Sequence, residues 1–159
     1  MPIFLLILAL IAFDQLVKYW AFTVLQPLTT IPIVENIFHL TYVENRGAAF
    51  SLLMNRRWLF VILAVLVVSA AAIALKKGVI QTKTGKWSLY LITAGAVGNV
   101  IDRIARGFVV DLFDFRLIHF PVFNVADIFI CTGAVLFFIY IMFQHKETDA
   151  LTEGAEKNE

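Results

Sequence analysis

Hydrophobic residues in this chain run in long unbroken blocks. Trp58 to Leu75 is 18 residues without a charge, close to the ~20 apolar residues that cross a bilayer as a helix. Trp87 to Ile101 and Ile128 to Gln144 form similar, slightly shorter blocks. Pro2 to Phe13 opens a fourth, which continues past Asp14 and Lys18 to about Leu25. The pattern predicts four transmembrane helices, at about 3–25, 58–75, 87–105 and 125–144. Between the first two the periodicity changes. In TIPIVENIFHLTYVENRGAAF, Phe38, Leu40 and Tyr42 alternate with His39, Thr41 and Val43, which is the period of a strand. Glu35-Asn36 predicts a hairpin turn and Asn45-Arg46-Gly47 a second bend. A small β-sheet is expected over about 28–50.

Composition agrees with a membrane protein. Of 159 residues, 60% are hydrophobic and 15 are Phe, too apolar for a soluble core of this length. The length suits one domain, membrane-embedded over 1–147, with a polar tail over 148–159 expected to be disordered. The formal net charge is +1 and no basic patch carries interleaved aromatics, which argues against a nucleic-acid partner. Cys131 is alone and makes no intrachain disulfide. The N-terminal block lacks a basic n-region and a clear A-x-A site, so it reads as a retained helix rather than a cleaved signal peptide. The loop KKGVIQTKTGKWS carries four lysines and no acid. By the positive-inside rule it lies in the cytoplasm together with both termini. Residues 26–57 and 106–126 are then on the outer side, although Arg46, Arg56, Arg57, Arg106 and Arg116 fall there too.

This orientation gathers the polar residues. At ~1.5 Å of rise per helical residue, Asp14 and Lys18 of helix 1 and Asn99, Asp102 and Arg103 of helix 3 come to one level under the outer surface. Asn124 and Asp127, which open helix 4, join them. An ionisable side chain inside a membrane costs roughly 3 kcal/mol or more, so several at one depth imply a shared, water-accessible pocket. Simpler roles exist for each. Asp14 and Lys18, four apart on one helix face, can form a plain ion pair. Asp102-Arg103 can anchor a helix end, and Asn99 can hydrogen-bond a neighbouring helix. Gly95 and Gly98 fit close helix contact better than binding.

Asp111 and Asp127 are the candidate reaction centre. Sixteen residues separate them, and Gly107 and Pro121 break helix between, so the chain can leave helix 3, turn and re-enter as helix 4. Two carboxylates brought close share a proton, and one titration is raised. The ionised partner takes a proton from water while the other donates to a carbonyl oxygen. That is amide hydrolysis without a covalent intermediate. Asp114 is a rival to Asp111, since on a local helical turn it faces the same way. Other chemistries fit poorly. His39, His119 and His145 lack metal-ligand spacing, no serine sits in G-x-S-x-G and no Gly-rich phosphate loop exists. No metal or cofactor is expected. The competing reading is a small ion-coupled transporter or channel subunit using Asp14, Lys18, Asp102 and Arg103 as a polar path.

Four blocks of the chain carry a resemblance: DQLVK in helix 1, ENRGAAFS after the strands, GAVGNVIDRIARGFVVDLFDF through helix 3 and FNVAD opening helix 4. Over roughly residues 11–145 the chain resembles the bacterial lipoprotein signal peptidases, or signal peptidase II. The resemblance implies a mainly α integral membrane fold, with four transmembrane helices and a small β-cradle and short helix on the outer side. It implies that Asp111 and Asp127 are the catalytic dyad and that Asp114 is a bystander. Asp14, Lys18, Asn45, Gly47, Ala48, Asn99, Asp102, Arg103, Asn124 and Ala126 fall on the family's supporting and substrate-bordering positions. The implied substrate is a prolipoprotein carrying diacylglycerol on a cysteine, cleaved just before that cysteine in the bacterial inner membrane. Membrane lipid is the other expected partner, the chain is expected to act as a monomer, and globomycin is the expected inhibitor.

Overall fold

The structure, a computed structural model, describes the backbone of residues 3–47 and 56–156, and the side chains within those ranges up to Phe143. The elements follow in the order α1 (Ile3–Leu28), β1 (Thr30–Val34), β2 (Phe38–Asn45), α2 (Arg57–Lys76), α3 (Lys83–Ala105), β3 (Val109–Phe115) and α4 (Val125–Glu156). Among the described residues, three helical segments are long and apolar enough to cross a membrane: Ile3–Leu28, Arg57–Lys76 and Val125–Phe143.

α3 is of a different kind. Its 23 residues are long enough to cross, about 34 Å at 1.5 Å per residue, but they are less apolar. The reason is its position, packed against α1, α2 and α4 at once. A helix enclosed by other helices buries Ser88, Asn99 and Asp102 among protein rather than lipid. It also starts earlier than its apolar block, at Lys83, where the Thr82 hydroxyl caps it by accepting from the Gly85 N–H at 3.1 Å. Such a polar first turn gives no hydropathy signal.

Small residues let α3 and α4 approach, as expected of Gly95 and Gly98. A Cβ on Gly95 would collide with the Ala126 carbonyl, and one on Gly133 would lie 2.8 Å from Ile92 Cγ1. One on Gly98 would lie 2.5 Å from Asp14 Oδ2. α1 widens into a π-helical turn at Ala21–Leu25. That turn buries Ala21 and Leu25 against Val110 and Leu112 of β3.

The sheet is three-stranded, antiparallel, in the order β1-β2-β3. The expected hairpin turn is present, with Asn36 at φ 61, a left-handed conformation that Asn tolerates better than most residues. β3 corrects the sequence expectation, which left 106–126 as a return loop with a possible helical turn at Asp111. Residues 109–115 instead pair with β2, placing Val43 opposite Asp111 and His39 opposite Asp114. Its residues are apolar on both faces over much of its length, which hides the alternation. A 3-10 turn at Arg116–Ile118 lies between β3 and α4; the short outer helix implied by the resemblance carried no residue bounds, and residues 48–55 of the outer segment lie outside the described residues. α4 continues through residues 148–156, expected to be disordered. The segment after Phe143 carries four Glu, two Lys and two Ala, all good helix formers.

Candidate active site

Alternation along β3 decides between the rival aspartates. Asp111 lies on the face of Phe113, and Asp114 on the other. The Asp114 carboxylate accepts from Thr41 Oγ1 at 2.7 Å and Arg116 Nε at 2.9 Å. Burial would raise its carboxyl, but those two hydrogen bonds and the Arg116 charge outweigh it and hold Asp114 below the usual range. It faces away from Asp111 and is already paired.

Asp127 comes from the first turn of α4, where Asn124 and Asp127 form a reciprocal cap. The Asp127 N–H donates to Asn124 Oδ1 at 3.0 Å, and the Asn124 N–H donates to Asp127 Oδ2 at 3.1 Å. The same Asn124 reaches the other acid, its Nδ2 donating to Asp111 Oδ1 at 2.6 Å. Asn124 therefore touches both carboxyl groups, that of Asp111 through its side chain and that of Asp127 through its backbone N–H. Asn99 Nδ2 donates to the remaining Asp127 oxygen at 2.8 Å, and Asn45 Nδ2 to Asp111 Oδ2 at 2.9 Å. Burial first, then the charge of Asp127, pushes the Asp111 carboxyl up to about 7, against the hydrogen bonds from Asn45 and Asn124 and the charge of Lys18.

The approach to α4 is tied to β3. Phe123 O accepts from the Leu112 and Phe113 N–H groups at 3.0 and 2.9 Å. The Phe123 ring packs against Phe113 and Phe115 at 5.5 and 5.9 Å between centroids. Residue 123 thus fixes the start of the helix that carries Asp127 against the strand that carries Asp111.

A layer below, Asp14, Lys18 and Asp102 are fully buried together. Lys18 Nζ lies 3.0 Å from Asp14 Oδ2 and 3.3 Å from Asp102 Oδ2, and donates to Asn99 Oδ1 at 2.8 Å. Asp102 also pairs with Arg106. Sequence reading set a plain ion pair against site support for Asp14 and Lys18. The structure contains the pair, and connects it to Asn99. Two members of this network were not singled out from sequence: Arg106, and Gln15, whose Nε2 donates to Asp14 Oδ2 and the Gly98 carbonyl at 3.1 Å each. A charge i+4 from Asp102 was the available signal for Arg106. Gln15 gave none.

Asp111 and Asp127 line one cavity of about 720 Å³ with Asn45, Gly47, Asn99 and Arg103. Its walls are apolar, from Phe60, Leu63, Ala64 and Val67 of α2, Ile92, Ala96 and Val100 of α3, Ile128 and Ile130 of α4, and the Phe120–Phe123 segment. Arg103 spans the polar end, its Nη2 donating to the Gly47 carbonyl at 3.1 Å and its guanidinium 4.7 Å from the Phe60 ring centroid. Asp14, Lys18, Asp102 and Ala126 stand behind the cavity rather than on its wall. Ala48 lies outside the described residues. Among those described, no group of three or more His, Cys, Asp or Glu is placed to hold a metal ion.

Known proteins resemble this chain in sequence and in fold. A family model described as signal peptidase (SPase) II matches residues 6–143. A lipoprotein signal peptidase of Clostridioides difficile is 49% identical over 139 residues, covering 87% of this chain and 93% of its own length. One from Halothermothrix orenii is 42% identical over 151 residues, covering 92% and 99%. Among solved structures, a bacterial membrane enzyme superposes with a TM-score of 0.83 at 27% identity, over 91% of this chain and 90% of that one. A second does so with a TM-score of 0.77 at 28% identity, over 87% and 91%.

Proposed function

The chain belongs to the signal peptidase II family, and from that premise we propose that it is an aspartic peptidase that removes signal peptides from prolipoproteins through Asp111 and Asp127. The observation that carries the mechanism is that both carboxyl groups line the polar end of one apolar cavity and both accept hydrogen bonds from Asn124, Asp111 from its side chain and Asp127 from its backbone N–H. A signal peptide is itself an apolar membrane segment. The long walls from α2, α3 and α4 suit it, and the peptide bond to be cut comes to the carboxyl end.

Asp111 holds the proton, because burial in the strand and the neighbouring charge favour its neutral form. Asp127, at a helix N-terminus where negative charge is favoured, is the base. It takes a proton from water as the water oxygen bonds to the carbonyl carbon, and Asp111 gives its proton to the carbonyl oxygen. In the second step Asp127 passes its proton to the amide nitrogen and the C–N bond breaks. One hydroxyl of the intermediate returns a proton to Asp111. A carboxylic acid and an amine leave, and the dyad is back in its starting state.

The remaining features of the reading come from the family resemblance and from the lysine-rich loop between α2 and α3. The substrate carries diacylglycerol on a cysteine, and cleavage falls just before it. α3 is the fourth transmembrane helix, enclosed by the other three. The sheet and the dyad lie toward the outer surface of the inner membrane, both termini are cytoplasmic, and one copy of the chain suffices. Asn45, Gly47 and Arg103 border the substrate. The test is cleavage of a synthetic prolipoprotein peptide, with and without the diacylglyceryl group, by purified protein. Cleavage before the cysteine of the lipidated peptide alone is expected. Equal cleavage of both forms, or of neither, overturns the reading.

A further inference from the structure

The buried charges behind the cavity are attached to the dyad through the backbone. Asp14 Oδ1 accepts the N–H of Ala126 at 2.8 Å, the residue before Asp127. Asp102 Oδ2 accepts the N–H of Val110 at 3.2 Å, the residue before Asp111. Each supporting carboxylate thus holds the backbone N–H of the residue just before one dyad acid. Lys18 stands between the two supports, 3.0 Å from one and 3.3 Å from the other, with its side chain fully buried. Its third contact, on Asn99 Oδ1 at 2.8 Å, fixes the direction of that amide. A lysine is a donor only, so the Asn99 oxygen must face it, and the Asn99 N–H group turns to Asp127. Four elements meet through one ammonium: α1 supplies Asp14 and Lys18, α3 supplies Asp102 and Asn99, β3 carries Asp111, and α4 carries Asp127.

We propose that Lys18 is a positioning residue for the hydrolysis: by tying Asp14 to Asp102 it sets the separation of Asp111 and Asp127, although it touches neither acid. This rests on the reading of Asp111 and Asp127 as the catalytic pair. Polar side-chain hydrogen bonds inside a membrane protein add little stability on average, and a buried ion pair can often be replaced by apolar groups at no loss. Stability alone is therefore a weak reason for four buried polar groups here, whereas placement is a strong one. Displacing reacting groups by about 1 Å can cost about 10²-fold in rate.

The variant Asp14→Leu/Lys18→Met tests it. It removes one charge of each sign, so the direct fields of the lost groups on the dyad oppose each other, and Asp102 keeps Arg106. Lys18→Met alone is the second variant. Active sites are titrated with a tight-binding inhibitor, so a misfolded fraction does not enter the rate. The expected result is that kcat per titrated site falls at least about tenfold in both variants while KM stays within about twofold. An independent readout needs no activity: the infrared band of the protonated Asp111 carboxyl, assigned by its loss in Asp111→Asn. In the double variant its titration midpoint moves down, because Asp127 is no longer held near. Wild-type kcat per site with an unmoved midpoint in the double variant overturns the proposal. A wild-type protein that cleaves nothing sinks the peptidase reading instead, and the infrared titration still decides whether Lys18 sets the spacing.

Discussion

At the scale of single residues, two aspartates three positions apart have opposite fates because they sit on a strand. Asp111 faces the cavity and Asn124, whereas Asp114 is paired with Arg116 and Thr41 on the other side. Asp114→Asn should therefore keep cleavage within about threefold of wild type, since acid–base groups are worth about 10²–10⁴-fold and Asp114 has no such part. A loss as large as that of Asp111→Asn would contradict this, measured as kcat on a lipidated peptide. The pH dependence has a definite sign. In the proposed mechanism Asp111 acts as the acid and must be protonated, and its carboxyl is pushed up to about 7. Activity should be retained on the acidic side of that value as far as the base remains ionised, and decline as pH rises through about 7. A rate that keeps climbing well above pH 7 would contradict the assignment of the proton to Asp111. Much of this site was legible in the chain, because polar residues inside apolar blocks stand out: Asp14, Lys18, Asn99, Asp102, Asn124 and Asp127 all meet in space. The choice between Asp111 and Asp114 was not legible from spacing, which gave them equal claim until the strand was known. Gln15 was hidden because a lone amide beside a charged residue carries no signal of its own.

At the scale of elements, α3 is the piece on which the site depends. It presents Asn99, Asp102 and Arg103 on one turn while Gly95 and Gly98 admit α4 and α1 closely. Gly98→Val should cost about 1–3 kcal/mol, the usual range for overpacking. It should also lower activity, because the new side chain collides with the Asp14 carboxylate that holds Ala126. Thermal unfolding in detergent alongside the cleavage assay measures both. An unchanged midpoint and rate would show that the α1–α3 contact is looser than described. The four long apolar blocks foretold the helices, and the Phe38–Val43 alternation foretold β2. β3 was missed because Val109, Val110, Leu112, Phe113 and Phe115 are apolar whichever face they occupy, so period 2 cannot be read from them. Its identity comes from pairing with a strand some 70 positions away, which is a tertiary fact.

At the scale of the whole molecule, the apolar helices place the chain in a membrane, and its family places that membrane in a bacterium. Among the described residues, the fully buried charges cluster rather than line a path across it. Lys18, Asp14 and Asp102 are mutually paired at one level behind the cavity, an arrangement suited to holding elements in place rather than to passing ions. The orientation can be tested in a Cys131→Ser background with single cysteines at Gln81, between α2 and α3, or His119, between β3 and α4. A membrane-impermeant maleimide should label position 119 in cells whose inner membrane is accessible but intact, and position 81 only after lysis. The reverse pattern would turn the molecule over and remove the dyad from the surface where a signal peptide ends. The central claim is narrower than the topology: two carboxyl groups, joined by Asn124, perform the cut. Its most direct measurement is single-turnover cleavage of a diacylglyceryl-modified prolipoprotein peptide by wild type, Asp111→Asn and Asp127→Asn, each matched for thermal unfolding. Loss of about 10²-fold or more in both variants, with the fold intact, is the predicted result. Cleavage near the wild-type rate by either folded variant would contradict it.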